Sequence, residues 1–469
     1  MQKNKQFGEK MIKKIIAVCV VLFVFVLPIT VFAETEEQPN VTAAAYVLYN
    51  PDNNEIVESK NANISLYPAS LTKMMTALCV IDLCDDLDNE KITVSENAVQ
   101  SLYGTGSSKA NIKIGEIFTA RQLLYLMLLP SGNDAANALA DHFTAKGKNF
   151  IEAMNNKATA LGMNNTNFAN PHGLHNANHY TTAADLAVLA DAYMSDELLY
   201  SIAQCNEYTV PQTNLQLERK VRTTNFLRIP QSGYYYEYAT GLKTGNTDKA
   251  GRCLAASAEK DGKRFICILL DTPEVWGRNG VIRTDFQETA EIFKYAFKTY
   301  ECVKVANKGQ KVKTLPVFET NGKTVDLGLL NDVYATLPKD VNLSDLKIDF
   351  TPKNLIDGGF VASPVSEGTS FGQAAFMLDN KVLGSCEVVA LSSVKPNGLL
   401  VFWHKIDFYV YLTAAIIGFL VFVIVLLIVR KKCVIYKRKK AKEKREKRRK
   451  QMQEVFLKQD PIDYFKMNE

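Results

Sequence analysis

The chain has 469 residues, 47% hydrophobic and 22% charged. That balance excludes wholesale disorder and leaves room for two globular domains with accessory segments. The net charge of +5 is partitioned: residues 1–33 carry +4, residues 430–469 carry +10, and the stretch between holds 34 basic and 43 acidic residues. With its basicity confined to the two ends, the body is not expected to bind nucleic acid.

At the N-terminus, Lys3, Lys5, Lys10, Lys13 and Lys14 precede the apolar run from Ile15 to Leu27. The breaker Pro28 follows, and then small residues at Val31-Phe32-Ala33. A secretory signal cleaved after residue 33 is expected; Ile29 to Phe32 could instead extend the run into an uncleaved anchor. Residues 43–49 alternate as a strand, Asn50 to Asn54 forms a turn, and a short strand follows. From Pro68 a helical pattern runs through Met74, Met75, Leu78 and Ile81. A helix over Thr119–Leu129 stops at Pro130, and another begins at Asp134 and runs to Phe143. Strands are expected at 239–244, 251–258 and 263–270, then a helix at about 286–298.

Past Lys308-Gly309 the texture changes to short Val, Leu and Phe strands between Gly-, Asn- and Asp-rich turns. Ala374–Leu378, Asp379-Asn380 and Lys381–Leu391 form a hairpin, and residues 301–395 are expected to be a small all-β, sandwich-like module. A linker is expected over 396–407. Phe408 to Val429 then gives 22 residues without a charge, enough to cross a bilayer. Arg430, Lys431 and Lys432 come directly after, and Trp403, Tyr409 and Tyr411 before or at its start. The positive-inside rule puts residues 430–469, a basic tail, in the cytoplasm and the body outside. The seven cysteines of the body have no framework spacing and no CxxC, and are expected to be mostly buried free thiols with at most one or two bridges.

Four Ser-x-x-Lys sequences occur, starting at Ser70, Ser257, Ser344 and Ser392. Ser257 and Lys260 straddle a strand end, where i and i+3 point to opposite faces. Ser344 and Ser392 lie in the β module beside turns. Only Ser70, directly after Pro68, opens an apolar helix, where Ser70 and Lys73 share a face one turn apart. The helix N-terminus would add N–H groups where an oxyanion forms. The alternative is that Ser70 merely caps the helix. Two more elements accompany it: Ser131-Gly132-Asn133 on an interhelical loop, and Lys243-Thr244-Gly245 at the end of a strand.

With these three in this order, the chain resembles the penicillin-recognising serine peptidases, whose fold is an α/β (α+β) serine β-lactamase/transpeptidase-like domain. Within that superfamily it is most similar to the low-molecular-mass D-alanyl-D-alanine carboxypeptidases. The likeness is carried by Tyr67-Pro68-Ala69-Ser70-Leu71-Thr72-Lys73, Leu129-Pro130-Ser131-Gly132-Asn133-Asp134 and Gly241-Leu242-Lys243-Thr244-Gly245-Asn246. Asn170-Pro171-His172-Gly173-Leu174 and Thr181-Thr182-Ala183-Ala184-Asp185-Leu186 add to it. It is strong over about residues 34–300; the β module is similar to the family's C-terminal sandwich in position and texture. A membrane-spanning helix departs from the family's common amphipathic anchor.

The resemblance implies a peptidoglycan stem peptide ending in D-Ala-D-Ala as substrate and β-lactams as covalent inhibitors, with no cofactor and no metal. Ser70 would be the nucleophile and Lys73, desolvated and near Lys243, its base. Ser131 would relay a proton to the departing amine, and Asn133 would hold Lys73 and a substrate amide. Lys243 and Thr244 would bind the terminal carboxylate, Gly245 would allow close approach, and the N–H groups of Ser70 and Asn246 would form the oxyanion hole. An arginine before the domain's last helix often assists in this family; counting back from Ile292-Phe293 puts its slot at Asp285, so none is assigned. His172, His175 and His179 have helical ligand spacing, but Pro171 and Gly173 make this a loop with a structural or active-site-wall role. A β-lactamase, an endopeptidase or a binding-only sensor on the same fold are the alternatives. The chain lacks a Glu-x-x-Leu-Asn element for class A deacylation, and the basic tail is too short and charged to fold as an output domain.

Overall fold

The computed structural model describes residues 38–456 apart from 279, 357 and 380, so the segment expected to be a signal lies outside the described residues. The chain divides into two units. One runs to Lys304 and also takes Tyr334–Leu343; the other comprises Val305–Val333 and the chain from Ser344.

The first unit is built on a five-stranded antiparallel sheet. Numbering only the principal elements, its strands are β1 (Ala45–Asn50), β2 (Glu55–Lys60), β3 (Ala239–Thr247), β4 (Gly251–Lys260) and β5 (Lys263–Thr272), in the order β2-β1-β5-β4-β3. Alternation along each strand serves two cores. Val47, Ala255, Ile266 and Ile268 face a helical layer, while Leu48, Leu254, Ala256 and Leu269 face Phe286, Phe293 and Ala296 on the other side. Each of these large aliphatic side chains, fully buried, contributes ~1.5–3 kcal/mol relative to exposure.

The helical layer contains α1 (Thr72–Leu83), α2 (Ala120–Leu128), α3 (Asn133–Ala145) and α4 (Ala183–Ser195); α5 (Thr284–Thr299) covers the opposite face. Every residue of α1 from Thr72 to Val80 is buried, which makes it the central helix of the layer. A capping box of Thr119 and Gln122 starts α2. Pro130 follows its end, leaving a short loop before α3 that carries Ser131. Several observed elements run a residue or a few past the expected ones, as where β3 runs on to Thr247, whereas β1 begins two residues later and α2 is shorter at both ends.

The second unit contains a five-stranded sheet of β6 (Lys311–Pro316), β7 (Thr324–Leu329), β8 (Lys347–Pro352), β9 (Ser370–Leu378) and β10 (Lys381–Ala390), ordered β6-β7-β10-β9-β8. Leu315, Val325, Leu327, Phe371, Phe376 and Val388 fill its core. The helix α6 spans Gly398–Phe456.

Within the stretch expected to be the β module, residues 334–343 pack with the first unit. Thr336 is the reason: its hydroxyl accepts from Asn50 at 2.7 Å and its N–H donates to Glu55 at 2.7 Å. The supposed linker 396–407 is helical from Gly398. Asn397 starts it, its side-chain oxygen accepting from the N–H of Leu399 at 2.9 Å and its carbonyl from Val401 at 3.1 Å.

Candidate active site

Ser70 sits in a single 3-10 turn, Ala69–Leu71, that leads into α1. The helix therefore begins two residues later than the sequence suggests, and Leu71 occupies its cap position without a side-chain bond. Ser70 is not the cap. Its Oγ lies 2.9 Å from the Nζ of Lys73, which also donates to Asn133 Oδ1 at 2.5 Å and to the carbonyl of His172 at 2.9 Å.

Lys73 is fully buried, and its ammonium is held well below the ordinary lysine range, first by burial and then by the charge of Lys243, against an opposing pull from Asp134. A neutral amine has two N–H donors and one lone pair. The two carbonyl oxygens take the donors, which leaves the lone pair for the Ser70 hydroxyl. That is the arrangement of a base beside a nucleophile.

A cleft of 650 Å³ opens over this pair, and Ser70, Ser131, Asn133, Thr244, Gly245 and Asn246 all line it. The two lysines lie deeper, Lys243 being 2% exposed. Burial lowers Lys243 to about 7. Its Nζ donates to the carbonyl of Thr244 at 2.9 Å, and the hydroxyls of Thr244 and Thr224 meet at 2.6 Å. Ser131 has φ of +61° and Ala69, next to the nucleophile, +46°. For residues with a Cβ this left-handed backbone costs about 1–2 kcal/mol, strain of the kind that collects at functional sites. Asp134 braces the Ser131 loop by accepting from the N–H groups of Ala110 at 2.8 Å and Ile112 at 3.2 Å.

Among the other serines, Ser257 is buried in β4 with its hydroxyl 2.7 Å from that of Thr240. Ser344 and Ser392 belong to the other unit. The three histidines have separate surroundings. His175 packs edge-on against Tyr67 at 4.7 Å and lines the cleft. His172 accepts from the N–H of Leu174 at 3.1 Å, and His179 lies 2.8 Å from Thr72.

Arg283 is the residue that counting along the chain missed. It occupies the cap position of α5, lines the cleft, and lies over the ring of Phe286 at 4.1 Å. Its guanidinium grips the fully buried Asp285 through two bonds of 2.9 and 2.5 Å. The slot assigned to Asp285 thus holds the partner of the arginine. Phe226 and Thr224 were missed as well; both line the cleft, and no local sequence pattern marks them.

A sequence profile of the family described as D-alanyl-D-alanine carboxypeptidase matches residues 32–274, and one for the penicillin-binding protein 5 C-terminal domain matches 300–396. The chain belongs to the D-alanyl-D-alanine carboxypeptidase family. It is 28% identical over 365 residues to the D-alanyl-D-alanine carboxypeptidase DacF of Bacillus subtilis, covering 77% of this chain and 88% of that one. The D-alanyl-D-alanine carboxypeptidase of Streptomyces sp. K15 is 30% identical, with coverage of 55% and 89%. Among solved structures, penicillin-binding protein 5 from Haemophilus influenzae matches with a TM-score of 0.62 at 28% identity, over 77% of this chain and 99% of that one. The family is one of serine peptidases, and its architecture of catalytic domain followed by a β domain is the one described above. One apolar helix, α6, completes the described chain.

Proposed function

We propose that this member of the family is a membrane-tethered serine D-Ala-D-Ala carboxypeptidase that trims peptidoglycan stem pentapeptides through a Ser70 acyl-enzyme. The observation that carries the assignment is the Ser70–Lys73 pair, 2.9 Å apart, with the amine fully buried. Ser70 Oγ attacks the carbonyl carbon of the penultimate D-Ala as its proton passes to Lys73. The N–H groups of Ser70 and Asn246 stabilise the resulting oxyanion. Collapse breaks the C–N bond, Ser131 relays a proton to the leaving amine, and D-Ala departs. Water then attacks the ester and frees the shortened peptide. Asn133 keeps Lys73 in place. Lys243, Thr244 and Arg283 gather the terminal carboxylate, and Gly245 lets the β3 strand run close beside the nucleophile. A β-lactam enters by the same attack, its carbonyl taking the place of the peptide's.

The tether is α6, crossing the bilayer over residues 408–429 with the catalytic unit outside and residues 430–469 in the cytoplasm. The charge-free run followed by Arg430, Lys431 and Lys432 supports this orientation.

The test is the purified protein with a stem pentapeptide and, separately, a fluorescent penicillin. Free D-Ala and covalent labelling are expected from the native protein and from Ser257→Ala. Neither is expected from Ser70→Ala. Labelling that survives in Ser70→Ala would overturn the assignment of the nucleophile.

A further inference from the structure

Ala69 holds a left-handed backbone at φ +46° immediately before the nucleophile, a conformation that relaxes unless its surroundings hold it. Its carbonyl accepts from the hydroxyl of Thr72 at 2.8 Å. Thr72 has a single hydroxyl proton, so its contact with His179 Nε2 at 2.8 Å must be one in which the ring N–H donates and the hydroxyl oxygen accepts. On the far side of the ring, Nδ1 accepts from the N–H of Ala169 at 3.0 Å. Both nitrogens are thereby committed, and the partners specify the neutral tautomer with its proton on Nε2. Burial keeps the ring neutral, lowering it to about 4. Phe168 packs edge-on against it at 5.6 Å.

The two arms of this chain of bonds end on the two halves of the nucleophile pair. Through Thr72 and Ala69 the ring reaches the turn that presents Ser70. Through Ala169 it ties down the start of the loop whose next residues receive the helix: the carbonyl of Pro171 accepts from Thr76 at 2.6 Å, and that of His172 accepts from Lys73 at 2.9 Å. The loop packs directly on the turn at Gly173, where no side chain fits: a Cβ on it, at φ +88°, would stand 1.8 Å from the Ala69 carbonyl oxygen.

We infer that His179 is a positioning residue for acylation, which through Thr72 on one side and Ala169 on the other holds the Ser70 turn and the Lys73 carbonyl acceptor in register. It touches neither substrate nor the reacting atoms. The inference rests on Ser70 and Lys73 being the reacting pair, and its test keeps the two apart.

The rate of penicillin acylation and the KM and kcat for a stem pentapeptide are measured in four variants, well below each one's melting temperature. Thr72→Val removes the hydroxyl at constant shape, and Thr72→Ser restores it. His179→Asn keeps an acceptor near the Nδ1 position and has nothing where Nε2 lies; the fourth variant combines it with Thr72→Val. Misplacing a nucleophile by a fraction of an ångström predicts acylation and kcat slowed roughly 10- to 100-fold, with KM changed far less, in Thr72→Val and His179→Asn. Thr72→Ser should recover most of the rate, and the double variant should be no slower than the slower single one, because both cut a single path. Native acylation rates in folded Thr72→Val, or additive losses in the double variant, would overturn the inference. Failure of the nucleophile assignment would look different: Ser70→Ala would label like the native protein whatever these variants do.

Discussion

Gly245 passes so close to Ser70 that a Cβ on it would lie 3.1 Å from the Ser70 amide nitrogen and 3.1 Å from the Cβ of Ala69. The strand and the nucleophile turn therefore approach each other at a residue with no side chain, and Cys253 Cβ, 3.3 Å from the same point, closes the other side. Gly245→Ala should push the turn and strand apart by a few tenths of an ångström. The expected result is penicillin acylation slowed about tenfold or more with little change in melting temperature, since geometry and not core volume is lost. Native acylation in this variant would show that the contact is slack.

Lys243 should give stability a specific pH dependence. Its folded value, lowered by burial to about 7, lies below the ordinary lysine value of 10.5 that the unfolded chain approaches. Between those two values the unfolded chain binds a proton that the folded site does not, so this group makes stability rise with pH across that window and leaves it flat below. Lys243→Met removes that rise, and it also relieves Lys73, which is depressed partly by the Lys243 charge. Urea unfolding at pH 7 and pH 9.5 should show the native protein gaining on the variant at the higher pH. The buried thiols Cys253 and Cys267, pushed up to about 12, are common to both proteins and cancel in the difference. An unchanged difference would contradict the assignment.

The two parts proposed for Arg283 can be separated. Arg283→Gln strands the buried Asp285, a change that typically costs ~3–5 kcal/mol. It should also raise KM for a substrate that ends in a carboxylate. Adding Asp285→Asn should return most of the lost melting temperature without returning the KM. Recovery of both would make Arg283 a purely structural partner of Asp285.

The tail is expected to be separable from catalysis. A protein ending at Lys432 should remain in the membrane fraction and release D-Ala at the native rate, any change being confined to where it sits in the cell. Loss of D-Ala release by the truncated and correctly inserted protein would give residues 433–469 a larger part than this.

The sequence made the central positions legible because short-range geometry fixes them. Ser70 and Lys73 meet through i,i+3 spacing, Ser131 and Asn133 are placed by the loop that Pro130 forces, and Lys243 to Gly245 lie on a strand whose alternation is plain. Arg283 was hidden because its place depends on the short β segments at Val275–Gly277 and Gly280–Ile282 that deliver it, not on distance from Ile292 and Phe293. The packing of residues 334–343 with the first unit was not legible, because alternation reports that a strand is half-buried and not which core it joins. The role of His179 was invisible for a related reason: spacing suggested three equivalent ligands, whereas each ring meets different neighbours across the fold.

The unbroken run of α6 bears on how its basic end could meet lipid. From residue 419 to 456 the helix contains neither Gly nor Pro, so nothing in it favours a bend at the bilayer surface. The 27 residues from 430 onward then form a rod of ~40 Å at 1.5 Å per residue. Surface potential fades within a Debye length of ~8 Å. Along such a rod the basic residues would act like marks on a depth gauge: Arg430 to Lys432 nearest the head groups, Arg448 to Lys450 far into the cytoplasm. Neutralising the first group should then weaken any lipid attraction far more than neutralising the second, despite their similar charge.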